Sequence, residues 1–206
     1  MYRPPAFRED RLDVLHALIA AHPLGMIVTH GPAGLEANPV PFTLDPSRGA
    51  FGTLRAHMAR GNGQRAALEA GNEALVIFQG PQTYITPSWY ASKAEHGKVV
   101  PTWNYVIVQA RGVPVLIDDT DWLRTQIGEL TDAHETTRTA PWAVDDAPEP
   151  YIASQMKGIF GLEIEISRIE GKWKTSQNRP EADRTGVSEG LRAEGDGAMA
   201  ELVDRR

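Results

Sequence analysis

Leu12, Leu15, Leu18 and Ile19 recur at helical spacing along one stripe, which predicts a helix over about residues 9–22, ended by Pro23 and Gly25. From there the pattern turns extended. Met26 to Thr29 reads as a strand, Gly31-Pro32-Ala33-Gly34 as a turn and Leu35 to Leu44 as a returning strand. Pro39 and Pro41 cannot donate ladder hydrogen bonds, so this strand is bulged or at an edge. A turn at 45–49, a strand over 50–55 and a short helix over 62–70 follow. The apolar run Ala74 to Phe78 reads as a strand, Gly80-Pro81 as a turn and 82–86 as its partner. Trp103 to Ala110 and Val113 to Ile117 flank Arg111-Gly112 and predict a hairpin or one bent strand. Asp119 caps a helix running to about His134, with Leu123, Ile127 and Leu130 inward. Pro148 or Pro150 opens a shorter helix that Gly158 closes. Phe160 to Ile169 alternates apolar and polar residues, the mark of a half-exposed antiparallel strand. Asn178, with Glu181 three positions on, reads as the N-cap of a last helix to about 192.

These elements predict a mostly β protein with inserted helices, of α+β class: a small barrel of six to seven largely antiparallel strands. No strand–helix alternation supports a doubly wound sheet, and Ala140 to Pro150 reads as a loop. One domain over 1–192 is expected. Residues 193–206 are small and charged and are expected to fray.

Composition narrows the classes. The 206 residues suffice for one buried core. The 19 glycines and 15 prolines punctuate too densely for a helical bundle. No cysteine is present, which excludes a disulfide scaffold, a zinc ribbon, an iron–sulfur cluster and thiol catalysis. No apolar run reaches the ~18 residues of a membrane span, and the N-terminal residues have no apolar core of a signal peptide. A cytoplasmic protein with no membrane partner is the expectation. The net charge of −6 does not favour phosphate backbones. The helix near 120–134 carries Asp121, Glu129 and Asp132 against a single Arg124, so tight duplex-DNA binding by this chain is not expected.

Among motifs, Gly61-Asn62-Gly63-Gln64-Arg65-Ala66 matches the dinucleotide fingerprint in letters, but no apolar strand runs into it and no βαβ unit follows. It retains the reading of a helix start beside His57, Arg60 and Arg65 that cradles one phosphate, against a plain surface loop. His134-Glu135-Thr136-Thr137-Arg138 has an arginine where a zinc protease needs its second histidine, and no metal site is expected. No α/β-hydrolase nucleophile elbow is expected. Two stretches concentrate chemistry. Tyr84 to Tyr90 together with Val100-Pro101-Thr102-Trp103-Asn104-Tyr105 places large aromatics beside Thr, Ser and Asn, which on the residues alone favours a core or dimer seam and also suits a flat heterocycle. Lys172 to Arg179 sets three cations around polar amides, a natural partner for phosphate or carboxylate or a solvated turn.

Together these segments resemble the PaiB-type family of FMN-binding negative transcriptional regulators. The residues that carry the resemblance are Met1-Tyr2 with Pro4 and Phe7; His57, Ala59, Arg60 and Asn62; Phe78-Gln79-Gly80-Pro81; Tyr84-Ile85 with Pro87-Ser88-Trp89-Tyr90 and Lys93; Val100 to Tyr105; and Lys174 with Ser176-Gln177-Asn178-Arg179 and Asp183-Arg184. The resemblance implies a flavin-binding split β-barrel, a homodimer and FMN as cofactor. By the same analogy His57, Arg60 and Asn62 fall where the flavin phosphate is held. Trp103, Asn104 and Tyr105 are the candidates for the ring side, and Lys174, Gln177 and Arg179 close the site. The chain departs from the family pattern at Ala37-Asn38, where Ser-His is usual, and at Gly61-Asn62-Gly63, where Ala-Asn-Pro is usual. The same fold leaves open a flavin-dependent oxidoreductase and a cofactor-free interaction module, and no catalytic constellation decides between them.

Overall fold

The computed structural model describes residues 1–32 and 34–205. In chain order the described residues form β1 (Arg8–Glu9), α1 (Leu12–Ala21), β2 (Leu24–Gly31), β3 (Gly34–Pro41), β4 (Thr43–Asp45), β5 (Thr53–Ala59), α2 (Arg65–Glu69), β6 (Ala74–Ile85), α3 (Ser92–His96), β7 (Thr102–Gly112), β8 (Pro114–Ile117), α4 (Thr120–Glu135), α5 (Glu149–Met156), β9 (Ile159–Glu165), β10 (Arg168–Lys174), α6 (Glu181–Ala193) and α7 (Gly197–Asp204). The strands make two antiparallel sheets, ordered β1-β10-β7-β6-β2-β3 and β4-β5-β9-β8. This is the α+β class expected, with more strands than the pattern shows. The additions include β1 and β4, two and three residues long. Such strands exist through their partners, as in Arg8 opposite Lys172, and leave no periodicity to read.

The chain divides into two compact units. The first comprises Met1–Leu15, Gln79–Val108 and Glu170–Arg206, and the second His16–Phe78 and Gln109–Ile169. In the second unit β5 and β9 pair so that Leu54 meets Ile164, Ala56 meets Leu162 and Met58 meets Phe160. All six are buried, the period-two alternation of both strands converging on one core face. Each large side chain so buried contributes roughly 1.5–3 kcal/mol. Asp119 caps α4 as expected, its carboxylate accepting from the Trp122 N–H at 2.7 Å. Leu123 of α4 packs with Val144, Ile152 and Met156 in a satellite cluster. At the end of β7 the chain passes to the other sheet, which is the bent-strand alternative rather than the hairpin. Gly112 permits the corner, because a Cβ there would lie 2.2 Å from the Glu165 carbonyl. β3, with its two prolines, ends its sheet as expected. Ala33 of the turn before it lies outside the described residues.

In the first unit α6 and α7 close a core of Ile85, Tyr90, Val187, Leu191, Met199, Ala200 and Val203. Gly186 and Gly190 let α6 approach Trp89; a Cβ on Gly186 would lie 2.0 Å from the Trp89 carbonyl oxygen. Three expectations are corrected here. Gly80-Pro81 is not a turn but the middle of the 12-residue β6; the β2–β6 pairs reach only to Ile77, so the missing Pro81 N–H falls outside that ladder. Asn178 does not cap α6, whose N-cap is Pro180, with no side-chain cap bond. Residues 197–204 do not fray: Asp196 accepts from the Met199 N–H at 3.0 Å, and Met199, Ala200 and Val203 are buried. The charged composition of the tail hides three apolar residues that share one helical face.

Candidate functional site

β10 delivers Lys172, Trp173 and Lys174 in sequence and then stops, and a tight turn carries the chain to α6. Gln177 folds back and staples that turn, its Oε1 accepting from the Thr175 N–H at 2.7 Å and its Nε2 donating to the Trp173 carbonyl at 2.5 Å. Ser176 sits at φ 63°, the one described non-glycine residue with a left-handed backbone, a conformation that costs of order 1–3 kcal/mol and persists only where its surroundings over-determine it. Asn104 of β7 supplies part of that determination. Its Nδ2 donates to the Ser176 Oγ at 2.9 Å, and both residues are buried.

The result is a small open cleft lined by Thr102, Asn104, Lys174, Ser176, Asn178 and Arg179, with a cavity volume of ≈ 80 Å³. The Lys174 ammonium donates to the Thr102 Oγ1 and to the Trp103 carbonyl, both at 2.5 Å. Both acceptors are neutral. Among the described residues no carboxylate lies within ion-pair distance of Lys174 or Arg179. Asp183 accepts from the Ser92 N–H and hydroxyl at 2.9 and 2.7 Å and acts on Arg179 only as a charge, without an ion pair. Burial pushes the Lys174 ammonium below its usual pKa, and the like charges of Lys172 and Arg179 push it the same way. Aromatic faces take up part of the surplus charge. The Arg179 guanidinium lies 4.6 Å over the Tyr90 ring, and Lys172 lies 5.2 Å from the Tyr105 ring and 5.6 Å from that of Tyr2. Trp103 is half exposed and meets Tyr84 edge to face at 6.1 Å.

The first unit therefore gathers Trp103, Asn104, Tyr105, Lys174, Gln177 and Arg179. The other three candidates, His57, Arg60 and Asn62, lie in the second unit and are differently placed. The His57 Nδ1 is 2.7 Å from the Gln126 Oε1. Arg60 is 2.6 Å from Asp118 and donates from Nε to the Lys157 carbonyl at 3.1 Å. Asn62 accepts from the Gln64 N–H at 2.9 Å and so shapes the turn into α2, a helix of only five residues. Gln64, fully buried, donates to the Ile27 carbonyl and the Thr29 hydroxyl and accepts from Asn38 at 3.0 Å. The asparagine that departs from the family pattern is thus part of a polar network under β2 and β3. Thr102, Ser176 and Asn178 line the cleft as well, residues inside the two stretches singled out in the sequence but given no site role there. Each stands directly beside a candidate residue, and the signal was the block rather than the single position.

A strand-built unit with an unneutralised cationic cleft beside exposed aromatic rings has the donor set for an anionic, flat-ringed cofactor. Solved structures share the fold. The flavocytochrome Anf3 of Azotobacter vinelandii superposes with a TM-score of 0.62 at 13% identity, over 84% of this chain and 72% of that one. The FAD and heme binding protein of Mycobacterium smegmatis gives 0.59 at 19% identity, over 81% and 73%. The family model described as "Putative FMN-binding domain" matches residues 1–168. The protease synthase and sporulation protein PAI 2 of Bacillus subtilis is 30% identical across 99% of this chain and 97% of its own length. An uncharacterized protein of Emericella nidulans is 38% identical across 93% and 90%. The chain belongs to this FMN-binding family, and FMN is its cofactor. No described helix is long and apolar enough to cross a membrane.

Proposed function

We propose that the chain is an FMN-binding homodimer of the PaiB-like negative-regulator type, working in the cytoplasm. The observation that carries the flavin assignment is the pair Lys174 and Arg179, lining one cleft with no ion-pair partner among the described residues. The six candidates of the first unit are the ones we assign to the cofactor. Trp103 and Tyr105 offer ring surface, Asn104 and Gln177 hold the turn, and Lys174 and Arg179 supply charge. When bound, FMN supplies a redox-active ring.

The dimer reading rests on the outward face of β2 and its neighbours in the second unit. Leu24, Met26 and Val28 point away from the buried Gly25, Ile27 and Thr29. Opposite them in register stand Pro41, Pro39 and Ala37 on β3, and Met26 and Val28 also meet Ile77 and Leu75 on β6. Leu24 is 64% exposed and Met26 38%. An apolar sheet face of this extent marks an association surface, and we assign it to a second copy of the chain. The regulatory reading is supported by the resemblance to the PaiB-type regulators; the name of the Bacillus subtilis relative points to protease synthesis and sporulation. It acts through a ligand or a partner rather than through tight duplex contact by this chain. Arg124, the lone arginine of the acidic α4, is already paired with Asp145 at 2.7 Å and Glu149 at 3.0 Å.

Titration of flavin-free protein with FMN, followed by flavin fluorescence and the visible spectrum, tests the assignment. Saturable binding is expected, and its absence would remove the flavin reading. Light scattering should return twice the 22.6 kDa chain mass. Rapid anaerobic reduction of the bound flavin by NADPH, with reoxidation by a substrate, would replace the regulator with an oxidoreductase.

A further inference from the structure

We propose that the cleft of Thr102, Asn104, Lys174, Ser176, Asn178 and Arg179 is an oxyanion site, which binds a phosphate or carboxylate group between the Lys174 ammonium and the Arg179 guanidinium, with the Asn178 amide as neutral donor. In one of its two forms it rests on the flavin reading, the oxyanion being the phosphate of FMN itself. In the other the oxyanion belongs to a second ligand, an anionic substrate or effector.

Four observations converge. First, the cations are brought together and make no ion pair among the described residues. A folded protein gains by pairing such charges, as Arg48, Arg55, Arg60 and Arg65 do with Glu163, Glu129, Asp118 and Glu69 in the second unit. Lys174 and Arg179 face each other's charge and that of Lys172 instead. Second, Lys174 is aimed rather than free. Two of its three N–H donors go to the Thr102 hydroxyl and the Trp103 carbonyl, leaving one donor for a ligand. Third, the turn that sets the geometry is held in a costly shape. Ser176 keeps its left-handed backbone through Asn104, and Gln177 ties the turn back to Trp173 and Thr175. Fourth, the cleft, at ≈ 80 Å³, is far smaller than the ~300–1,000 Å³ of pockets that enclose a whole ligand. It admits the charged end of a ligand and leaves a ring outside, where Trp103 and Tyr84 are exposed.

The test uses flavin-free full-length protein titrated with FMN, with riboflavin, which lacks the phosphate, and with millimolar inorganic phosphate read by tryptophan fluorescence. The comparison is repeated in Lys174→Met, Arg179→Gln and the charge-retaining Lys174→Arg. Saturable phosphate binding is expected in the unaltered protein, lost in the first two variants and largely kept in the third. If FMN binds roughly 10- to 100-fold more tightly than riboflavin, as charge-assisted bonds allow, and the variants erase that ratio, the oxyanion is the flavin phosphate. If the two flavins bind alike and phosphate still binds through Lys174 and Arg179, the oxyanion belongs to a second ligand. Phosphate binding without any flavin binding would leave this site standing and remove the flavin reading. No saturable phosphate signal in the unaltered protein, with a flavin ratio the variants do not change, would overturn the proposal. The titration of the unaltered protein decides even if a variant fails to fold.

Discussion

In the second unit Arg48 meets Glu163 at 2.6 Å, Arg55 meets Glu129 at 2.5 Å and Arg60 meets Asp118 at 2.6 Å. In the first, Lys174 and Arg179 stand around a cleft and hold only neutral oxygens and an aromatic face. The two regions use the same residue types for opposite ends. Where a carboxylate is within reach the cation is part of the scaffold, and its charge is spent before a ligand arrives. Where none is within reach, the fold carries an electrostatic cost that an anion would relieve. The count of cations in a stretch does not separate the two cases, and their pairing does.

Four measurements break or sharpen that contrast. The largest effect is expected from Glu163→Gln. This carboxylate takes both arms of Arg48, at 2.6 and 2.9 Å, and the Trp122 indole N–H at 3.1 Å, with Arg55 also close. Its loss should destabilise the fold by about 1.5–3 kcal/mol in a denaturant melt, the range for bonds to a charged group. A change below ~0.5 kcal/mol, the level of an ordinary surface substitution, would show that the paired cations are not structural.

Lys174→Met should give the converse result. Stability should stay within about 1 kcal/mol of the unaltered protein, while affinity for phosphate or FMN falls by a factor of ten or more, ~1.4 kcal/mol. A loss of stability like that of Glu163→Gln would erase the distinction between the regions.

The pH dependence separates them again. Hydrogen bonding from Arg48, then from Trp122, holds the Glu163 carboxyl below its usual 4.5 against the opposing effect of burial. As pH falls, the unfolded chain takes up that proton first. The stabilisation from Glu163 is therefore present above about pH 4.5 and is lost as pH drops through the lower folded value. The difference between Glu163→Gln and the unaltered protein should vanish in acid. Lys174 works at the other end. Its ammonium is held below 10.5 by burial, Lys172 and Arg179, with no facing carboxylate to oppose them. The unfolded chain keeps this proton longer, so stability gains with rising pH in the window below 10.5. That alkaline gain should be missing in Lys174→Met, and a curve that keeps it would place the titration elsewhere.

The smallest effect is expected from Asp118→Asn. The pair is exposed, so its loss should cost under ~1 kcal/mol. It also removes the acid shared by Arg60 and Arg65, at 2.6 and 3.4 Å. A weak second phase of phosphate binding that appears only in this variant would show directly that pairing, not position, had kept Arg60 silent. In the same frame, Arg60→Ala should weaken FMN binding less than Arg179→Ala does.

Much of this molecule was readable along the chain. The stripe of Leu12, Leu15, Leu18 and Ile19, the Asp119 cap, the Phe160 to Ile166 alternation and the edge prolines 39 and 41 are local signals, and local signals survive folding when nothing stronger competes. The blocks Val100 to Tyr105 and Lys174 to Arg179 were legible as chemistry, and the family resemblance rested on them. Tertiary structure decided the rest. β1 and β4 exist because a partner strand is present, and Gly80-Pro81 lies within β6 because the ladder it would break ends at Ile77. α7 forms because α6 offers it an apolar face. The same holds at the site. Arg60 and Arg179 are indistinguishable as letters. Only the folded chain brings Asp118, 58 positions away along the sequence, into an ion pair with one of them, while Asp183 bonds Ser92 and makes no ion pair with the other. Charge neutralisation acts through space over a few ångströms, and no spacing along the chain records it.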